Sequence, residues 1–119
     1  MSDYSKLGIL LERIKAFNEA RDWMQFHNPK DLAISLSLEA SELLEHFQWK
    51  SPEEIKKHLA ENGEKVGDEL ADVLYWTLLM SDYFEIDIVE ALDRKMMENE
   101  AKYPADKARG NHKKYKELS

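Results

Sequence analysis

The stretch that decides the fold class is Asn28-Pro29-Lys30-Asp31-Leu32-Ala33-Ile34-Ser35-Leu36-Ser37-Leu38-Glu39-Ala40-Ser41-Glu42-Leu43-Leu44-Glu45-His46-Phe47. Asn28 followed by Pro29 reads as a helix N-cap and first helical position. Leu32, Leu36, Leu43 and Phe47 then recur at helical spacing. Upstream, roughly from Ser5 to Arg21, Leu7, Leu10, Leu11, Ile14 and Phe17 form another helical stripe, joined to the first by the aromatic connection Trp23-Met24-Gln25-Phe26-His27. Downstream, Ser51-Pro52-Glu53-Glu54 has the form of a capping box. It opens a short amphipathic segment expected to end near Asn62-Gly63, where a long helix from about Glu64 to Phe84 takes over. Asp87-Ile88-Val89-Glu90 repeats the capping pattern and starts a helix that must stop before Pro104. No strand pattern emerges. The expectation is an all-α bundle of four to five helices, one domain over residues 1–119 with a polar, basic tail at 105–119.

The whole chain agrees with this. Its 119 residues suit one modest core, and only 4 Gly and 3 Pro punctuate it. No apolar run reaches the roughly 18 residues a membrane span needs. The first residues lack the basic and apolar regions of a signal peptide, so a cytoplasmic protein is expected. With no cysteine, disulfides, thiolate metal sites and cysteine nucleophiles are excluded. A net charge of -7 opposes binding to a nucleic-acid polymer. It leaves a single nucleotide possible, because a bound divalent cation inverts the local sign.

Four acids stand on unexpected faces. Glu39 and Glu42 are three residues apart, and Glu69 and Asp72 repeat the spacing. Glu39 lies on the line of Leu32, Leu36 and Leu43, and Glu42 follows Ile34 and Leu38 at intervals of four. Glu69 falls between Val66 and Val73, and Asp72 leads to Trp76. Packing those stripes together would carry four carboxylates into the bundle interior, where they would need cations. All-oxygen ligands favour hard ions such as Mg²⁺, and magnesium sites commonly take substrate phosphates as further ligands. A single such pair is more often a solvated helix face; two pairs on neighbouring apolar stripes point to a site. A di-iron bundle is the rival metal reading, but it needs Glu-x-x-His. His46 follows Glu42 by four and His58 follows Glu54 by four, so neither fits.

At these residues the chain resembles the all-alpha nucleotide pyrophosphohydrolases of the MazG-like superfamily, and within it the dCTP pyrophosphatase group. The likeness begins at Arg21-Asp22-Trp23-Met24-Gln25-Phe26-His27 and runs through Glu39 and Glu42 to Phe47-Gln48-Trp49-Lys50. It resumes at Glu69-Leu70-Ala71-Asp72-Val73-Leu74, then at Lys95-Met96 with Asn99, Tyr103 and Pro104, and reaches Ala108-Arg109 and Lys114-Tyr115.

The resemblance implies that Glu39, Glu42, Glu69 and Asp72 bind Mg²⁺. Water would attack the α-phosphorus of a nucleoside triphosphate, a dNTP above all, and release pyrophosphate, with Glu42 the choice for activating that water. Lys95, Asn99 and Tyr103 recur every four residues and share a face, offered to phosphate or sugar; Lys95 and Asn99 are included among the catalytic candidates. Trp23, His27 and Trp49 match positions around the base, Trp76 joins them as a substrate-binding candidate near the sugar or base, and Arg109 could reach phosphate charge. Trp76 stands where the family often has Tyr, which puts substrate preference in doubt. The linker between the acidic helices is compact, so a lid-like insertion there is not expected. Similar enzymes assemble as dimers of dimers, so a dimer or tetramer is expected, with Trp76, Leu79, Tyr83 and Phe84 as candidate subunit contacts. Two other readings remain: a catalytically silent nucleotide-binding or regulatory module, and a purely structural helical interaction protein.

Overall fold

The computed structural model describes residues 5–117. It contains α1 (Lys6–Ala20), a 3-10 turn (Met24–Phe26), α2 (Pro29–Glu45), α3 (Pro52–Tyr83), α4 (Ile88–Lys102), α5 (Ala105–Ala108) and a closing 3-10 turn (Tyr115–Glu117). No strand occurs among the described residues. The fold is all-α, as the periodicity required.

The helix starts are made by the expected caps. Asn28 Oδ1 accepts from the Asp31 amide at 2.9 Å, with Pro29 in the first turn. Ser51 Oγ accepts from the Glu54 amide at 3.2 Å while Glu54 Oε1 accepts from the Ser51 amide at 3.0 Å, closing the capping box. Asp87 Oδ1 accepts from the Val89 and Glu90 amides at 3.1 Å. Each such cap contributes about 1 kcal/mol.

The expected boundary at Asn62-Gly63 is a kink and not a stop. Asn62 has non-helical angles (φ -127°, ψ 23°), yet the helix resumes and α3 runs for 32 residues. Asn62 Nδ2 donates to the His58 carbonyl at 3.2 Å, so a side chain satisfies a carbonyl at the break.

Helix α3 is the spine. It packs along α2 and, less extensively, along α1. Leu32, Val66, Leu78 and Leu79 are the buried apolar residues. Fully buried Asn18 ties α1 to α3, its Nδ2 donating to the Ile14 carbonyl and to Tyr75 Oη, both at 2.9 Å. This core is small. Among the described residues α4 packs extensively against no other helix, and the radius of gyration is 18.0 Å, against about 13–14 Å for a compact domain of this length. Leu7, Leu74, Leu78, Ile88, Val89, Leu92 and Met96 line an apolar groove of about 590 Å³ between α3 and α4.

The expected subunit contacts need one correction. Leu79 is wholly buried in the chain's own core, because its face of α3 meets the neighbouring helices. Tyr83 and Phe84 are exposed, and exposed apolar side chains occur on every long helix, among them Ile9, Ile34, Leu38, Leu70, Leu92 and Met97. No helix is long and apolar enough to cross a membrane.

Candidate metal and nucleotide site

The acids of α2 and α3 come together because the two helices run side by side with their Glu-x-x-acid faces opposed. Carboxylate oxygens of Glu39, Glu69 and Asp72 all lie within 4.8 Å of one another. Glu42 completes the group through hydrogen bonds with Glu39 and Glu69. The expected burial of all four is corrected: Glu39 and Glu69 are half-buried, while Glu42 and Asp72 are exposed.

The electrostatics follow from this packing. Burial, then a hydrogen bond with Glu42 and the charges of Glu42, Asp72 and Glu69, push Glu39 up to about 7. Glu69 is raised for the same reasons, burial first, with His46 opposing. A proton on Glu39 relieves part of the repulsion within the cluster. The Oε2 atoms of Glu39 and Glu69 are nevertheless sealed from solvent without a hydrogen-bond partner. Orphaned carboxylate oxygens in an all-oxygen cluster suit a hard divalent cation, and the residues present fit one.

The other expected residues fall into two sets. His27 and Trp76 meet edge to face at 6.3 Å, Trp76 continues to Tyr75 at 5.0 Å, and Phe17 links Tyr75 to Trp23 at 6.5 and 5.4 Å. Burial holds His27 below the ordinary imidazole value, and its Nδ1 is sealed without a partner. Trp49 stands apart in the α2–α3 turn, 91% exposed and with a left-handed backbone (φ 65°). Lys95, Asn99 and Tyr103 lie at the α4 face and its end, and Arg109 follows α5. Lys95 pairs with Glu98 at 3.1 Å. None of these four lines the pocket beside the acids.

That pocket, about 380 Å³, is lined by Glu42, Glu45, His46, His58 and Glu69. In the sequence the two histidines stand out only by a spacing that does not suit iron. Their nearness depends on the reversal between α2 and α3, which brings His46 Nδ1 to 2.8 Å from His58 Nε2.

The model of the MazG-like family matches residues 34–118, a span that holds all four acids. The chain belongs to the MazG-like family. This MazG-like chain is 36% identical over 104 residues to dCTP pyrophosphatase 1 of Rattus norvegicus and 38% identical to that of Homo sapiens. Each alignment covers 86% of this chain and 61% of the relative, so the chain spans less than two thirds of those proteins. A solved pyrophosphatase structure from Archaeoglobus fulgidus DSM 4304 superposes with a TM-score of 0.80 at 41% identity, covering 87% of this chain and 97% of that one. The resemblance read from the residues is borne out. Trp23 and His27 precede the span matched to the MazG-like family.

Proposed function

We propose that this chain is a magnesium-dependent nucleoside triphosphate pyrophosphohydrolase, converting a (d)NTP and water to the (d)NMP and pyrophosphate, with dNTPs, and dCTP among them, preferred. The observation that carries the reading is the cluster of Glu39, Glu69 and Asp72 with two carboxylate oxygens left without partners. The names of the similar proteins support the reaction and the base.

A divalent cation held by Glu39, Glu42, Glu69 and Asp72 supplies Lewis-acid polarisation of the phosphoryl oxygens. Glu42, exposed at the rim beside both half-buried glutamates, is the acid placed to receive a proton from an attacking water. The water oxygen bonds to the α-phosphorus, the bond to the bridging oxygen breaks, and pyrophosphate leaves. Lys95, Asn99, Tyr103 and Arg109 serve phosphate and sugar, and Trp23, His27, Trp49 and Trp76 serve the base, whose π-face any aromatic can stack. Both sets are completed in a homo-oligomer, dimer or dimer of dimers, because among the described residues α4 has no extensive packing partner.

The test is an end-point assay on each NTP and dNTP, with Mg²⁺ and with EDTA, separating pyrophosphate from orthophosphate. Magnesium-dependent monophosphate and pyrophosphate are expected. Folded protein that binds nucleotide yet turns over none would instead establish a silent binding module.

A further inference from the structure

His46, His58 and Asn62 form a hydrogen-bonded chain with a definite direction. Asn62 Nδ2 donates to the His58 carbonyl at 3.2 Å, and that carbonyl can only accept, which fixes the orientation of the amide. The same Nδ2 lies 3.3 Å from His58 Nδ1, so that ring nitrogen is the acceptor and the His58 proton sits on Nε2. His58 Nε2 in turn donates to His46 Nδ1 at 2.8 Å. The proton of His46 is thereby placed on Nε2, and among the described residues this N–H makes no hydrogen bond. The lone pair of each neutral ring is already engaged, so the pair as it stands offers no ligand to a metal.

The kink supplies this lock. Asn62 leaves helical geometry while its amide reaches both His58 groups. His58 is held below the ordinary imidazole value by burial first, then by Lys50 and His46, with Glu61 opposing and Lys65 adding a smaller push. Both rings are half-buried on the wall of the 380 Å³ pocket, which shares Glu42 and Glu69 with the acidic cluster. The wall therefore presents the His46 N–H as a hydrogen-bond donor in a pocket whose other walls are Glu42, Glu45 and Glu69.

We infer that His46 Nε2–H binds the β,γ-phosphate end of the triphosphate and the pyrophosphate that departs, with His58 and Asn62 as positioning residues that hold its tautomer. This rests on the hydrolase reading above. With the α-phosphorus at the acids, the phosphates that follow it enter the adjoining pocket, and their anionic oxygens are the acceptors this donor needs.

The experiment is nitrogen-15 NMR of the imidazoles in the Mg²⁺-loaded protein, titrated with inorganic pyrophosphate and separately with deoxycytidine monophosphate, alongside calorimetry of pyrophosphate binding. His46 should be protonated on Nε2, and pyrophosphate, not the monophosphate, should move that signal. His46→Phe should bind pyrophosphate about tenfold more weakly, the loss of one hydrogen bond to a charged group. His46→Gln, which keeps an N–H near the same point, should retain most of the affinity, so a folding defect in the Phe variant would not decide the matter. Asn62→Ala should give a mixture of His46 tautomers. A His46 signal that pyrophosphate leaves unmoved, in protein that hydrolyses nucleotides, overturns the inference and spares the reaction. Zn²⁺ alone displacing both imidazole signals, with pyrophosphate inert, overturns it in favour of a metal site. Pyrophosphate moving His46 in protein that hydrolyses no nucleotide removes the reaction and leaves the anion site standing.

Discussion

Glu39 on α2 and Glu69 on α3 face one another across the helix seam, each with an Oε2 atom closed to solvent and without a hydrogen-bond partner. Two acids so placed are poorly solvated when ionised and gain most from a shared cation.

Glu39→Gln removes one of the opposed charges and a ligand oxygen. The metal-free variant should melt higher than the parent, with unchanged helical content by circular dichroism. Mg²⁺ should no longer raise its melting temperature, and turnover should fall on the order of 100-fold or more, as expected for losing a group that holds a metal. A variant that kept both the magnesium response and normal turnover would take Glu39 out of the site.

The raised value of Glu39 sets a pH dependence. Between about 4.5, the ordinary value, and about 7, the unfolded chain has lost a proton that the folded metal-free chain keeps. The unfolded state thus binds fewer protons, and stability falls as pH rises through that window, levelling off above it. Thermal melts of metal-free protein at stepped pH should show this slope, and Glu39→Gln should flatten it. Magnesium uptake near pH 6 should release protons, measurable by calorimetry in buffers of different ionisation heat; uptake with no proton release would show Glu39 ionised beforehand.

Trp49 separates binding from folding. At 91% exposure its indole adds little to the core, while its φ of 65° is a position glycine accepts more easily. Trp49→Gly should be more stable than Trp49→Ala by about 1 kcal/mol. Both should raise KM roughly tenfold, the stacking of one base, with a smaller effect on kcat. An unchanged KM in both variants would remove Trp49 from the nucleotide site.

Leu92 tests assembly. It is 61% exposed on the groove between α3 and α4, with Leu74, Val89 and Met96. Sedimentation should find the parent chain as a dimer or dimer of dimers, and Leu92→Asp shifted to monomer with a lower melting temperature. A monomeric parent would leave the apolar α4 face for another explanation.

Most of the fold was legible because it is written locally. Asn28, Ser51 and Asp87 cap the helices that their sequence neighbourhoods predict, and Pro104 follows α4 as expected. Asn62-Gly63 misled because the pair has the composition of a stop, while the resumption of the helix depends on the Asn62 side chain reaching back to His58. The acidic quartet was visible as polar residues on apolar stripes; that Glu42 and Asp72 are open to solvent is a property of the packed helices that no spacing reveals. The His46–His58 contact spans 12 positions and exists only in the register of the α2–α3 reversal, so no spacing rule announces it. Trp49 shows the limit from the other side. Aromatic bulk usually means burial, but Trp49 sits in the left-handed α2–α3 turn and stands in solvent.

The same turn gives the molecule an optical use. An indole held in water emits at longer wavelength than one enclosed in protein, and Trp49 is far more open than Trp23, at 43%, or half-buried Trp76. A nucleotide stacking on Trp49 would quench or blue-shift the most red-shifted part of the emission while leaving the rest in place. The chain thus carries its own reporter of occupancy, readable without a label.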